Sequence, residues 1–141
     1  MNRFVWIDTS FLYALFVQKD QNHAVSQLIW KTFLHKRITG VISCLIISEL
    51  GTLLVYTFDH ATALRQIRIV LDSTLIRRVY IDSEIESSAL AWWKKYQDQK
   101  FSFTDCVSFE LMRRTGIRQA LSFDCDFTIA GFELVRTPHA L

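Results

Sequence analysis

The sequence contains very little of the residues that interrupt regular structure. It has one proline and four glycines among 141 residues. Because linkers are rich in proline, glycine and serine, this scarcity favours a single domain over residues 1–141. Half of the residues are hydrophobic and 21% are charged. That balance is typical of a folded domain with a sizeable core and excludes a disordered chain.

Cysteines are few and far apart. Cys44, Cys106 and Cys125 are odd in number and form no CxxC pair. The sequence therefore predicts neither a disulfide framework nor a cysteine-based zinc site. We expect all three to be small buried hydrophobic side chains in a reducing compartment, and we expect a cytoplasmic protein.

Long apolar runs are also missing. The run from residue 44 to residue 58 is interrupted by Ser48, Glu49 and Thr52. No segment reaches the roughly 18 apolar residues of a membrane span. The first apolar stretch includes Asp8 and is followed by no cleavage-site pattern, so we do not expect a signal peptide. The sequence predicts no association with a membrane.

The net charge of +2 is too small to indicate a nucleic-acid partner by itself. Basic residues nevertheless come in groups, which usually form solvated surface but could also form a phosphate-contacting rim around an acidic centre. The groups are Lys36–Arg37, Arg65 with Arg68, Arg77–Arg78, Lys94–Lys95, and Arg113–Arg114 with Arg118. On charge alone, solvated surface is the favoured interpretation.

The hydrophobic pattern predicts strands that alternate with helices. Strands are expected at 4–7, 41–42, 75–81, 119–123 and 133–135, and helices at 9–16, 23–35, 45–58, 61–71, 83–96 and 103–114, with a helical turn at 127–130. Gly116 is expected to end the helix at 103–114. Alternation of this kind predicts a parallel sheet covered on both faces, with ligands beyond the carboxyl ends of the strands.

An aromatic stripe marks the helix at 83–96. Trp92, Trp93 and Tyr96 recur on one side of this helix. We expect the stripe to belong to the core or to an interface rather than to stack on nucleic-acid bases.

Four carboxylates lie at the ends of predicted strands or on predicted helices. Two of them, Asp8 and Asp124, follow apolar runs that are predicted strands. Asp8 suits the N-cap of the next helix, and its cap and metal-ligand interpretations are equally supported. Asp124 has no evident structural role, because Asp126 can cap the following turn. Asp126 is a reserve ligand.

The other two carboxylates lie on predicted helices. Glu49 is the only charge in an apolar helix, so we expect burial and a partner for its carboxylate; the alternative is a thin solvent-facing stripe with Ser48 and Thr52. Asp105 lies three residues after Ser102 and fits the acidic position of a capping box. A capping role for Asp105 is compatible with a role in the site at the edge of the predicted sheet.

Together the four acids match the needs of a hard cation. Mg²⁺ and Mn²⁺ prefer carboxylate and water oxygens, and they can polarise a phosphate and activate a water. Thr9, Ser10 and Thr104 could hydrogen-bond the acids or a water on the metal. As hydroxyls at helix starts they are equally well explained by capping.

Four short segments resemble the PIN-domain ribonucleases, and most closely the VapC-type toxins of bacterial and archaeal toxin–antitoxin pairs. They are IDTSFL (7–12), ISEL (47–50), FTDCVSF (103–109) and LSFDCDF (121–127). Each segment is weak evidence alone, but their order and spacing over essentially the whole chain are fairly specific.

The resemblance implies an α/β/α sandwich with a short, mainly parallel sheet, and cleavage of RNA that depends on Mg²⁺ or Mn²⁺. It implies that Asp8, Glu49, Asp105 and Asp124 are the catalytic, metal-binding acids, supported by Thr9 or Ser10 and by Thr104. It also implies a homodimer and inhibition by an antitoxin whose basic side chain enters the acidic pocket.

Two acids depart from the pattern or lie outside it. The position of Asp126 is often histidine in similar sequences, so its carboxylate could bind metal or cap a helix. Asp98 is a further nearby acid with no assigned role. The competing interpretation of the chain is a non-catalytic RNA-binding or protein-interaction module with the same fold.

Overall fold

The computed structural model describes residues 3–141, and five parallel strands form its sheet. The prediction of one domain also covers residues 1 and 2, which lie outside the described range. The strands are β1 (Phe4–Ile7), β2 (Thr39–Ser43), β3 (Ile76–Val79), β4 (Gln119–Leu121) and β5 (Glu133–Leu134). Their order across the sheet is β3-β2-β1-β4-β5. The predicted parallel sheet is confirmed, with strands shorter than expected at β3, β4 and β5 and longer than expected at β2.

Seven α-helices and a terminal 3₁₀ turn accompany the sheet within the described residues. They are α1 (Thr9–Phe16), α2 (His23–His35), α3 (Cys44–Thr57), α4 (His60–Asp72), α5 (Ser83–Lys95), α6 (Phe103–Thr115), α7 (Asp126–Ile129) and the 3₁₀ turn Pro138–Ala140. The predicted bounds of α1 and α2 are exact. Gly116, at φ 73°, ends α6 in the left-handed conformation, as expected.

The helices lie in two layers because parallel crossovers are right-handed. The chain runs from β1 to β2 to β3 in one direction across the sheet and returns to β4 and β5 in the other. The connections α1–α4 therefore cover one face and α5–α7 cover the opposite face. The result is the α/β/α sandwich that the sequence predicted. None of the helices in residues 3–141 is both long and apolar enough to cross a membrane.

The core is formed by large side chains from both layers and from β1. Trp6, Phe11, Phe33, Phe109 and Phe127 are completely buried. On the α5–α7 side, aromatic rings pack against one another around Phe109. This packing fixes both helical layers on the sheet and, with them, the helix starts that carry functional side chains.

Glu110, on α6, is a buried carboxylate that ties α6 to α5. It accepts hydrogen bonds from Nε and Nη2 of Arg113 at 3.1 and 2.8 Å, and from Nε of Arg114 at 2.7 Å. Trp92 on α5 donates its indole N–H to the same carboxylate at 3.1 Å. These hydrogen bonds, above all those from Arg113, lower the pKa of Glu110 to about 2. Arg113 and Arg114 are therefore not simply solvated surface.

We predict that Glu110→Gln lowers the free energy of unfolding by about 2 kcal/mol at pH 7, since hydrogen bonds to a charged group are lost. The folded-state pKa lies below the ordinary value of 4.5, so the carboxylate's contribution is lost as the pH falls from 4.5 towards about 2. Urea unfolding should show the difference shrinking over that range. Glu133→Gln is the control, because Glu133 and Arg118 are exposed and 3.9 Å apart. Equal losses in both variants would contradict the prediction.

Candidate active site

The candidate site lies at the carboxyl edge of the sheet, between β1 and β4. This is the place where the strand order reverses, and a crevice forms there in parallel α/β sheets. The backbone N–H of Asp8 donates to the carbonyl of Leu121 at 3.0 Å, which extends the β1–β4 ladder by one step. Asp8 and the residues after β4 are thereby brought side by side.

Asp8 is 4% exposed and is held by one of its two carboxylate oxygens. Its Oδ2 accepts hydrogen bonds from the hydroxyls of Ser10 at 2.7 Å and Ser122 at 2.8 Å, and from the backbone N–H of Ser10 at 3.3 Å. Its Oδ1 accepts none from residues 3–141. Burial raises the pKa of Asp8, against the hydrogen bonds from Ser10 and Ser122, which lower it. Asp8 is both the predicted N-cap of α1 and an acid with a free oxygen.

Ser122 is a site residue that the sequence analysis missed. It is completely buried, and its hydroxyl lies 3.1 Å from that of Ser10. The backbone N–H groups of Phe123 and Asp124 donate to the hydroxyls of Ser10 and Ser122, each at 3.0 Å. The two serines thus join the loop after β4 to Asp8. Only the pairing of β1 with β4 reveals this role, and that pairing is not visible in sequence spacing.

Asp105 occupies the predicted capping box at the start of α6. Its Oδ2 accepts the backbone N–H of Ser102 at 2.9 Å, and its own N–H donates to the Ser102 hydroxyl at 3.0 Å. Its other oxygen accepts no hydrogen bond within the described part of the chain. Partial burial, with the charges of Asp8 and Asp124, raises the pKa of Asp105 to about 7. Asp105 therefore caps α6 and also lies within electrostatic range of Asp8 and Asp124.

Asp124 has a structural role, contrary to the expectation that it had none. Its Oδ1 accepts the backbone N–H of Asp126 at 2.9 Å and so forms the turn into α7. Asp126 is the first residue of α7 and not its cap, which is Cys125. Partial burial and the nearby charge of Asp124 raise the pKa of Asp126. The two carboxylates and the Cys125 thiol have ligand atoms within 4.8 Å of one another.

The expectation that Glu49 is buried in an apolar helix, with a partner for its carboxylate, was wrong. Only Ile46, Leu50 and Leu54 of α3 are buried, whereas Tyr56 is 87% exposed. Glu49 itself is half-buried. Its charge is close enough to contribute to the raised pKa of Asp8. The structure thus places Glu49 at a half-buried position within electrostatic range of Asp8.

The predicted supporting hydroxyls and Asp98 differ in what they contact. Ser10, and not Thr9, hydrogen-bonds Asp8; the Thr9 hydroxyl is buried without a partner among residues 3–141. Thr104 lines, with Glu49, a cleft of about 380 Å³ between α3 and the start of α6. Asp98 is exposed and accepts a hydrogen bond from Gln99, the next residue along the chain.

The expectation that all three cysteines are buried was wrong for one of them. Cys106 is buried and Cys44 half-buried, but Cys125 is exposed. The reason is its place in the loop after β4, where it caps α7 at the surface.

A common pattern joins three of the acids. Asp8, Asp105 and Asp124 each use one oxygen in a local turn or cap and leave the other without a hydrogen bond from the described residues. In that part of the chain no salt bridge involves any of the four predicted acids. Oriented, unpaired carboxylate oxygens fit a hard divalent cation.

Comparison with known proteins agrees with this geometry. Residues 5–133 match the PIN domain family. The chain belongs to the PIN domain family. The predicted resemblance to this family is confirmed.

Individual relatives support the same conclusion. The 23S rRNA-specific endonuclease VapC20 of Mycobacterium tuberculosis is 33% identical over 132 residues, which are 94% of this PIN domain chain and 98% of the relative. Its crystal structure, described as a sarcin-ricin loop cleaving toxin, superposes with a TM-score of 0.85 over the same shares of the two chains. VapBC2 of Rickettsia felis, solved with a promoter DNA fragment, covers 94% of this chain and 97% of its own at a TM-score of 0.66. At 10% identity it supports the fold alone.

The raised pKa of Asp105 predicts a specific pH dependence in metal-free protein. A folded-state pKa of about 7 against an ordinary 3.8 means that the wild type loses stability as the pH rises from about 4 to about 7. Asp105→Asn keeps an oxygen for the Ser102 N–H and has no charge to bury. Its melting temperature should equal that of wild type near pH 4 and exceed it above pH 7.

The control for this experiment is Asp98→Asn, which changes an exposed acid and should match wild type at every pH. A melting temperature of Asp105→Asn below that of wild type at pH 8 would show that the cap outweighs the relief of charge, and would contradict the prediction.

Proposed function

We propose that this PIN domain is a metal-dependent endoribonuclease that hydrolyses RNA phosphodiester bonds. The proposal rests on the carboxylates of Asp8, Asp105 and Asp124. In each, one oxygen accepts hydrogen bonds, and the other accepts none from the described residues. Glu49 adds a fourth acid within electrostatic range of Asp8. The fixed geometry lowers the cost of assembling a cation site, because the ligands are oriented before the cation arrives.

The four acids would hold Mg²⁺ or Mn²⁺, with Asp126 as a further oxygen donor beside Asp124. A cation bound there supplies positive charge against the phosphate and acidity for an attacking water. Ser10 and Ser122 keep the Asp8 carboxylate in one orientation. Asp105, with a pKa of about 7, releases its proton when a cation binds. Thr104 lines the same cleft as Glu49.

Ribosomal RNA is the substrate we infer first. VapC20 carries the name of a 23S rRNA-specific endonuclease, and its likeness to this chain extends over nearly the full length of both proteins. The corresponding activity would take place in the cytoplasm, where ribosomal RNA is accessible.

We also infer an antitoxin partner, because the M. tuberculosis relative is described as a toxin. The acidic site offers such a partner an anchoring point. Its carboxylates have no basic side chain in a salt bridge with them among the described residues. An arginine or lysine inserted by the partner would neutralise the charge that a cation otherwise neutralises.

A homodimer is supported by an exposed apolar surface on α3 and α4. Tyr56 is 87% exposed, Leu64 56% and Leu53 41%, with Phe58 also exposed between the two helices. Large exposed apolar side chains on adjacent helices mark interaction surfaces in soluble proteins. We propose that a second copy of this chain covers this surface.

The activity is tested with RNA cleavage assays on purified protein. With Mg²⁺ or Mn²⁺, wild type should cleave ribosomal RNA, EDTA should stop the reaction, and Asp8→Asn should reduce the rate by at least about 100-fold because an oriented charge is lost. Asp98→Asn removes the same charge from an exposed position and should keep full activity.

Equal cleavage by wild type and Asp8→Asn would overturn the proposal or expose a contaminating nuclease. RNA binding without cleavage, at any Mg²⁺ or Mn²⁺ concentration, would favour the non-catalytic module instead.

The dimer is tested by analytical ultracentrifugation. Tyr56→Asp should shift wild-type dimers to monomers, because it places a charge on the apolar surface. Leu28→Asp, at a 58% exposed position of α2, is the control and should leave the association unchanged. A wild-type protein that sediments as a monomer at micromolar concentration would contradict the proposal.

A further inference from the structure

Another cavity lies between α5 and α6. It has a volume of about 360 Å³ and is lined by Ser88, Ala91, Trp92, Lys95, Glu110 and Arg113. None of these residues belongs to the predicted acid quartet. The cavity combines an indole, two cations and a buried carboxylate, a combination that core packing alone does not require.

The buried carboxylate orients the cation on one side of the cavity. Glu110 binds Nε and Nη2 of Arg113, while Arg114 divides its N–H groups among Glu110, Glu84 and Ser88. Arg114 is therefore occupied. Arg113 keeps its Nη1 without a partner among residues 3–141, and its side chain is 61% exposed. Glu110 is neutralised by two guanidinium groups, so its charge does not repel an anion at the mouth.

The other cation is Lys95, at the end of α5. Its ammonium lies 6.0 Å from the centre of the Trp92 ring and 5.3 Å from that of Tyr96. It takes part in no salt bridge of the described chain. Its position over two aromatic rings places a free positive charge beside an aromatic wall.

Contrary to the expectation for the aromatic stripe, we propose that this cavity binds the RNA strand of the substrate outside the cleaved bond, with a phosphate at Lys95 and Arg113 and a base against the half-buried Trp92. The inference rests on the proposed ribonuclease function. Cations that follow the backbone beside an aromatic side chain are the usual means of holding single-stranded RNA.

The position of the cavity on α6 fits a strand that starts at the acidic site. Asp105 is in the first turn of α6 and Arg113 is eight residues further on. At a rise of 1.5 Å per residue the two lie about 12 Å apart along the helix axis. One RNA strand can therefore reach the cavity while its scissile phosphate is at the acids. The helix that positions an acid at one end positions a phosphate-binding cation near the other.

The test measures RNA binding without cleavage. A fluorescently labelled single-stranded RNA is titrated in EDTA with the full chain and its affinity followed by anisotropy. Lys95→Ala/Arg113→Ala should bind about 10-fold more weakly, and its salt slope should fall by about 1.4, because each phosphate contact on a single strand contributes about 0.7. Lys31→Ala/Arg118→Ala removes the same charge elsewhere and should bind RNA as wild type does.

Two further variants separate binding from folding. Lys95→Ala does not touch Glu110, so it should weaken binding about 3-fold with an unchanged melting temperature if each phosphate contact acts independently. Arg113→Lys keeps the charge and should restore more than half of the affinity that Arg113→Ala loses. Binding equal to the Lys31→Ala/Arg118→Ala control in all these variants would overturn the proposal.

Cleavage and competition distinguish the remaining outcomes. The double variant should raise KM for a long RNA with kcat unchanged, and should cleave a short oligonucleotide that spans only the acids as wild type does. If wild type cleaves no RNA, the proposed function fails. The anisotropy measurements in EDTA still test whether the cavity binds RNA, because they do not depend on cleavage. Polyglutamate that competes as well as polyuridine at equal charge would show that no base is bound and would overturn the proposal.

Discussion

The pairing of β1 with β4 is the contact on which the site depends. The Asp8 N–H reaches the Leu121 carbonyl, and one residue later the Ser122 hydroxyl reaches the Asp8 carboxylate. These two hydrogen bonds join segments more than 110 positions apart in the chain. They also place the loop that carries Asp124 beside the first helix. Without this junction, Asp8 and Asp124 would remain a separate helix cap and a separate turn.

Electrostatics explains why the acids need so much support. Carboxylates that are brought together at the edge of a core lose solvent and repel one another, which favours their protonated forms. The pKa values of Asp8 and Asp105 are raised accordingly. Local hydrogen bonds from Ser10, Ser122 and Ser102 offset part of that cost and fix one oxygen of each acid. The free oxygens are the ones that we propose meet a positive charge, whether from a divalent cation or from a partner's basic side chain.

The opposite arrangement occurs at the other end of α6. There a single buried carboxylate, Glu110, is surrounded by Arg113 and Arg114, and its pKa is lowered instead of raised. One helix thus carries an excess of negative charge at its start and of positive charge near its end. This polarity suits the RNA strand that we propose: the reacting phosphate would be held through a cation, and a neighbouring phosphate would meet basic side chains directly.

Much of this architecture is encoded locally. Periodicity determined the helices and most strand positions, capping signals placed Asp8 and Ser102 with Asp105 at helix starts, and motif order indicated the PIN family. Those features depend on neighbouring residues, so the sequence alone suffices. Three features could not be obtained this way. The exposure of α3 depends on what packs against it, and the role of Ser122 depends on the β1–β4 register. The hydrogen bond from Trp92 to Glu110, which helps to hold the carboxylate that Arg113 binds, depends on the packing of α5 against α6. Each is a contact between distant segments, and only the tertiary structure decides which distant segments meet.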